Sequence, residues 1–136
     1  MEIRPDATIL VVDDEQDIRD ASERILVRTG FQVLKATNGQ EALNILDMDG
    51  IDIVLLDLKM PGMDGLEVLK QIRKRGETIQ VIVITGYATV ETAIEAMKQG
   101  AYDFIPKPFK LTQLRDLIVK ALGEVDKKDI SSRQSV

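Results

Sequence analysis

The sequence contains no cysteine, no histidine and no tryptophan among its 136 residues. The lack of cysteine excludes disulfides and thiolate metal sites, and it favours a reducing, cytoplasmic compartment. The lack of histidine removes the most frequent general base and the most frequent transition-metal ligand. Any chemistry performed by this chain must therefore use carboxylates, hydroxyls and lysine.

Long apolar runs and basic clusters are also missing. No apolar stretch approaches the roughly 20 residues that a membrane-spanning helix requires, and the first residues lack the layout of a secretory signal. The formal net charge is −5, whereas affinity for a nucleic-acid backbone comes mainly from clustered lysine and arginine. We therefore expect a domain that contacts neither a membrane nor nucleic acid directly.

Five apolar runs alternate with five segments of helical periodicity. The first, third and fourth runs are nearly continuous valine, isoleucine and leucine, as expected of strands that are covered on both faces. The second contains polar residues and the fifth stops at Pro106, which indicates edge strands. The five runs are residues 8–12, 32–36, 51–56, 80–84 and 102–105.

Strict alternation of strand and helix implies a parallel sheet with right-handed crossovers and helices on both faces. With the second and fifth strands at the edges, the predicted order is 2-1-3-4-5, the flavodoxin-like doubly wound α/β arrangement with five helices. Thr89 is the expected N-cap of the fourth helix. Residues 1–123 are predicted to form this one domain. The polar residues 124–136 are predicted to be a disordered tail or the start of a linker.

Four of the five predicted strands lead into residues that can carry chemistry. In a doubly wound sheet the functional crevice lies beyond the carboxyl ends of the strands. Side chains that follow different strands are therefore expected to meet there. These side chains are Asp13, Asp14, Asp57, Thr85 and Lys107.

The carboxylates of this set indicate a metal site. Acidic groups held close together repel one another, and a hard divalent cation would offset that repulsion. Magnesium prefers oxygen ligands and is commonly held by one or two carboxylates together with a phosphate group. The alternative is that acidic residues 13–15 only stabilise the N-terminus of the first helix. If a metal site is present, Glu15 is expected to begin that helix and to point away from the site. The presence of Asp57 and Lys107 at the same edge favours a Mg²⁺ (or Mn²⁺) site.

A carboxylate beside a metal ion can also act as a nucleophile toward phosphorus, giving an aspartyl phosphate. Such a transfer depends mostly on positioning and on the stabilisation of charge. The metal ion, the Lys107 ammonium and the Thr85 hydroxyl would each contact a phosphoryl oxygen. This arrangement makes Asp57 the candidate nucleophile.

Four segments together resemble the signatures of response-regulator receiver domains from two-component signalling, over about residues 7–122. The resemblance implies that Asp57 accepts a phosphoryl group from a phosphohistidine on a sensor histidine kinase. It further implies that Asp13, Asp14, Asp57 and the backbone carbonyl of Lys59 hold the magnesium ion. The segments are Asp13–Asp14 and residues 55–65, 83–86 and 101–109.

The same resemblance assigns the signalling residues. Thr85 and Lys107 are expected to contact the phosphoryl oxygens, and Thr85 with Tyr102 to form the conformational switch. The output surface is then the face made by the fourth helix, the fifth strand and the fifth helix, through which a homodimer or an output domain would be contacted. The Lys107–Pro108 peptide bond is expected to be cis.

Residues 86–97 and 101–104 are similar to receivers that precede ATPase-type transcriptional activators of the nitrogen-regulator class. This similarity implies control of transcription through a C-terminal output domain that lies beyond this chain. The chain would then be a signalling domain rather than an enzyme with its own substrate.

Three rival functions are compatible with the predicted fold. A flavodoxin-like flavin-binding domain would need a phosphate-binding loop rich in glycine, serine and threonine after the first strand, where this chain is acidic. An aspartyl-phosphate phosphatase would need a second acid two residues after Asp57, where the chain has Lys59. A module that only binds protein would not need the acidic site.

Overall fold

Strand and helix alternate along the described chain, as the sequence predicts. The computed structural model describes residues 7–134 except 49, 63, 77, 87 and 88, with side chains up to residue 123. Its elements are β1 (Thr8–Val12), α1 (Gln16–Thr29), β2 (Gln32–Ala36), α2 (Gly39–Leu46), β3 (Ile53–Asp57), α3 (Gly65–Arg75), β4 (Gln80–Thr85), α4 (Val90–Lys98), β5 (Asp103–Pro106) and α5 (Leu111–Gln134).

The sheet is parallel with the order β2-β1-β3-β4-β5, which confirms the predicted topology. Every residue of β3 and β4 is buried, because these strands lie inside the sheet and helices cover both faces. The edge strand β2 is largely exposed or half-buried. β5 begins one residue later than predicted, at Asp103.

Alternate side chains of the strands enter two separate hydrophobic clusters. One cluster, here called the α2–α4 face, includes Val54 and Val83 and packs against α2, α3 and α4. The other, the α1/α5 face, includes Ile53 and Ile82 and packs against α1 and α5. Helices therefore cover both faces of the sheet, and the residues that can carry chemistry lie beyond these clusters, at its carboxyl edge.

The last helix is longer than the sequence pattern indicated. The backbone of α5 continues to Gln134, so residues 124–134 are helical, and the prediction that a linker starts there stays a prediction. No proline follows Pro108, and residues 124–129 include glutamate and lysines with good helix propensity. The prediction relied on apolar periodicity, which a helix needs only where it packs on a core. The domain boundary at residue 123 stays a prediction.

No helix in the described part of the chain is long and apolar enough to cross a membrane.

Gly65 fixes the connection between β3 and α3. A Cβ atom at this position would lie 2.4 Å from the Cα of Leu58 and 2.6 Å from its carbonyl oxygen. The Gly65 N–H also donates to that carbonyl at 3.2 Å. Since the backbone comes this close, residue 65 must be glycine for α3 to begin where it does.

We expect Gly65→Ala to lower the free energy of unfolding by about 1–3 kcal/mol, because the added methyl group meets backbone that cannot move aside easily. Gly123→Ala is the matched control: a Cβ there contacts nothing within 4 Å, and alanine in a helix is favoured over glycine by about 0.5–1 kcal/mol. Urea denaturation followed by circular dichroism measures both. Equal stability of Gly65→Ala and the wild-type protein would contradict the close-approach argument.

Candidate functional site

Two buried carboxylates lie side by side at the carboxyl edge of the sheet. Asp57 is the last residue of β3 and Asp13 directly follows β1, and they are 3% and 2% exposed. One oxygen of each carboxylate accepts a backbone N–H two residues further on, from Lys59 at 3.1 Å and from Glu15 at 2.9 Å. These short-range bonds satisfy one oxygen of each group and leave the other oxygen for the site.

The Lys107 ammonium holds these remaining oxygens. Its Nζ lies 2.9 Å from Asp13 Oδ2 and 3.3 Å from Asp57 Oδ2. A third carboxylate, that of Glu15, accepts from the same Nζ at 3.1 Å. The expectation that Glu15 points away from the site was therefore wrong. It failed because sequence spacing does not show which way the first residue of a loop-to-helix turn directs a long side chain.

Burial and charge shift the pKa of both partners. Burial raises the pKa of the Asp57 carboxyl, and the Asp13 carboxylate acts in the same direction, although the Lys59 N–H and the Lys107 ammonium oppose them. Burial lowers the pKa of Lys107, but the hydrogen bond and charge of Asp13, the charge of Asp57 and the hydrogen bond of Glu15 outweigh it and raise that pKa. The site thus favours the charged form of Lys107, and it makes ionisation of Asp57 harder than that of a solvated aspartate.

The acidic groups are placed as a divalent cation would need them. Asp13, Asp14 and Asp57 each offer a carboxylate oxygen, and these oxygens lie within 4.8 Å of one another. Asp14 is exposed, and with Asp57 it lines an open cleft of about 430 Å³. The three carboxylates carry more negative charge than the Lys107 ammonium can balance, and all the atoms that they offer to a metal ion are hard oxygens. This donor set fits a hard divalent cation such as Mg²⁺.

Thr85 and Lys107 are connected through the backbone. Thr85 ends β4 and is fully buried, and its carbonyl accepts the Lys107 N–H at 2.9 Å. The Lys107–Pro108 peptide bond is cis, as predicted. The structure therefore brings Lys107 to the two buried aspartates from the end of β5, with Thr85 on the adjacent strand.

Tyr102 does not join this group. It lies in the bend before β5, its N–H donates to the Val81 carbonyl at 2.7 Å, and its side chain packs on the α1/α5 face. Val81 is four residues before Thr85, or roughly 13 Å along the strand. Strand alternation directs Thr85, like Val83, to the α2–α4 face. The two residues of the predicted switch therefore lie on opposite faces of the sheet.

Phe104 is an aromatic residue in β5 that the sequence analysis did not consider. It pairs with Val83 in the β4–β5 register and packs on the α2–α4 face. It thus shares with Thr85 the face of the sheet that α4 covers. The signal was available in the sequence, since Phe104 lies inside the fifth apolar run whereas Tyr102 lies at its margin.

This fold and this site define a receiver domain. The chain belongs to the response regulator receiver domain family, whose model matches residues 9–119. It is a receiver domain of two-component response regulators, a class that is phosphorylated on aspartate. This family match supports neither the flavin-binding nor the phosphatase alternative.

Characterised relatives agree with this assignment. Regulatory protein AtoC of Escherichia coli is 41% identical over 84% of this chain and 25% of its own length. Sporulation initiation phosphotransferase F of Bacillus subtilis is 40% identical over 84% of the chain and 92% of its own length. The crystal structure of NtrX from Brucella abortus superposes with a TM-score of 0.86 at 38% identity, over 94% of this chain and 29% of NtrX. The chain spans about a quarter of the length of AtoC.

The raised pKa of Asp57 predicts a stability difference in the metal-free protein. A carboxyl whose pKa is raised on folding stabilises the fold when protonated, and this contribution is lost as pH rises through the folded-state pKa. We therefore expect Asp57→Asn to be more stable than the wild-type protein at neutral pH with EDTA present. The difference should shrink as pH falls toward the ordinary pKa of aspartate.

Urea denaturation at several pH values measures this difference. Added magnesium is expected to reduce this stability difference. A bound cation would compensate the Asp57 charge of the wild-type protein, and the Asp57→Asn variant has no such charge. Lower stability of Asp57→Asn at neutral pH would contradict the sign of the shift.

Proposed function

We propose that Asp57 is the phosphoacceptor of this receiver domain and that a sensor histidine kinase is the donor. The observation that carries the proposal is the Lys107 ammonium: it contacts Asp57 and Asp13 together, and Lys107 lines the cleft. Asp57 comes from the central strand β3 and lines that cleft, whereas Asp13 does not line it. Asp57 is therefore the buried carboxylate that an incoming phosphoryl group can reach.

The transfer itself requires little covalent chemistry from the protein. A carboxylate oxygen of Asp57 attacks the phosphorus of a phosphohistidine, the P–N bond breaks, and the imidazole leaves with the electron pair and takes up a proton. The Lys107 ammonium faces the negative charge that develops on a phosphoryl oxygen. The Thr85 hydroxyl is assigned to a second phosphoryl oxygen. Charge stabilisation of this kind accounts for most of the catalysis of phosphoryl transfer.

A Mg²⁺ ion (or Mn²⁺) belongs to the same proposal. Asp13, Asp14, Asp57 and the backbone carbonyl of Lys59 would hold it, in agreement with the oxygen donors that such an ion prefers. When bound, the ion supplies positive charge to the phosphoryl oxygens. The carboxylates contribute the ligands, and the burial of Asp13 and Asp57 keeps them in place.

The conformational switch is assigned to Thr85 and Phe104. A phosphoryl group that engages the Thr85 hydroxyl draws it toward the site and opens space on the α2–α4 face. Phe104 is half-buried on that face, so its ring can move further in. Tyr102 packs on the opposite face of the sheet, which makes Phe104 the better placed of the two rings for this movement.

The output surface is proposed to be the face of α4, β5 and α5. On α4 the side chains of Val90, Ile94 and Met97 are 76%, 50% and 47% exposed, a large apolar area for one helix. This surface would contact a second copy of the chain or a C-terminal output domain. The relatives named regulatory protein and transcriptional regulator support an output in transcription. We further propose that the protein acts in the cytoplasm as a signalling domain, without an external substrate to turn over.

Phosphorylation of the purified protein tests the main assignment. With a small phosphodonor and magnesium, intact-mass measurement should show one added phosphoryl group on the wild-type protein. The group should be lost at alkaline pH, because an acyl phosphate hydrolyses there. Asp57→Asn should remain unmodified, and omission of magnesium should greatly slow the reaction of the wild-type protein. Full modification of the Asp57→Asn variant would refute the assignment of Asp57.

A matched pair of variants tests the switch. Amide NMR shifts of residues 89–106 should respond to beryllium fluoride, a phosphoryl mimic, in the wild-type protein and in Tyr102→Leu. The response should be largely lost in Thr85→Ala and in Phe104→Leu, because these variants lack the hydroxyl or the ring that moves. Loss of the response in Tyr102→Leu, with a normal response in Phe104→Leu, would restore Tyr102 as the switch residue.

A further inference from the structure

Glu15 occupies the N-cap position of α1 but does not cap the helix. Its backbone is extended, with φ −87° and ψ 115°, and its side chain makes no capping hydrogen bond. Serine, threonine, aspartate and asparagine are the residues that usually cap a helix from this position. The Glu15 carboxylate instead accepts from Lys107 Nζ at 3.1 Å, across 92 residues of sequence. The Glu15 side chain therefore faces Lys107 and not the end of its own helix.

Three carboxylates surround the Lys107 ammonium. An ammonium group has three N–H donors and no acceptor; Nζ donates to Glu15 and Asp57 at 3.1 and 3.3 Å and forms an ion pair with Asp13 at 2.9 Å. A phosphoryl oxygen that approaches this ammonium must compete with these carboxylates for it. The resting site thus contains a competitor for the lysine that phosphorylation needs.

The three carboxylates differ in how easily they can leave. The Asp13 side chain is 3% exposed and is also held by the Glu15 N–H, and Asp57 is the group that carries the phosphoryl. The Glu15 side chain is 60% exposed, so water can solvate it at once when it releases Lys107. The pair is open to solvent on its Glu15 side, and solvent-accessible ion pairs contribute little to stability. Glu15 is consequently the ligand that can be exchanged.

We propose that Glu15 is a positioning residue that holds Lys107 in the resting site and releases it when the phosphoryl group arrives. It acts through Lys107 and slows phosphorylation of Asp57 by stabilising the unphosphorylated arrangement. This inference rests on the proposed function, since it concerns the same transfer to Asp57. It predicts that removal of the Glu15 charge makes the domain a faster phosphoacceptor.

Glu15→Gln tests the proposal, because the amide keeps a hydrogen-bond acceptor but loses the charge. With magnesium and a small phosphodonor, its initial rate of phosphorylation should rise about 1.5- to 5-fold, as expected for loss of an exposed ion pair. Asp17→Asn is the control, since it removes an exposed charge from the first turn of the same helix and is not a ligand of Lys107. Its rate should equal that of the wild-type protein.

Two further measurements separate the mechanism from simple repulsion of an anionic donor. The gain in Glu15→Gln should be the same with acetyl phosphate and with phosphoramidate, which differ in charge. In the metal-free protein, the NMR signal of the Lys107 ammonium should change in Glu15→Gln and not in Asp17→Asn.

The outcomes are distinguishable. A wild-type protein that takes up no phosphoryl group would refute the proposed function itself. A phosphorylated wild-type protein with an equal or slower Glu15→Gln variant would refute only the role of Glu15. A gain confined to the more highly charged donor, or an unchanged Lys107 signal, would also overturn it.

Discussion

The contact on which the site depends is the bridge from the Lys107 ammonium to Asp13 and Asp57. It joins the ends of β1, β3 and β5, three strands that are not consecutive in the sequence. Two buried carboxylates without a cation would be costly, so the lysine allows the acidic site to exist before a metal ion arrives. Burial raises the pKa of Asp57, and the Lys107 ammonium offsets only part of that shift. The fold thus maintains a site that is ready to accept more positive charge.

Much of this arrangement could be predicted from sequence because parallel sheets impose it. Buried strands are continuous apolar runs, strand–helix alternation fixes the handedness of the crossovers, and the carboxyl ends then share one edge. Asp57 and Lys107 could therefore be assigned to a common site from their positions after strands three and five. A separate rule, the preference for threonine at N-cap positions, identified Thr89 as a cap, and its hydroxyl does accept the Thr92 N–H at 3.0 Å.

What sequence could not supply depends on the direction of individual side chains. Tyr102 stands at the margin of a predicted strand, and alternation cannot be applied to a residue that lies in the preceding bend. Glu15 follows two aspartates at a turn, where backbone angles rather than spacing decide which acid faces the site. Both cases have one cause: sequence patterns indicate which residues are buried, but they do not indicate which way a half-buried or exposed side chain points.

The bond from the Lys107 N–H to the Thr85 carbonyl has a consequence for how this domain can diverge. The lysine is anchored by the backbone of residue 85, whereas the signal is assigned to the side chain of the same residue. A change of side chain there would leave this anchor intact, but it would remove the hydroxyl that is proposed to contact a phosphoryl oxygen. Substitution at residue 85 would therefore weaken reception and transmission together. The lysine that balances the two buried carboxylates would still keep its place, so the fold itself should tolerate the change.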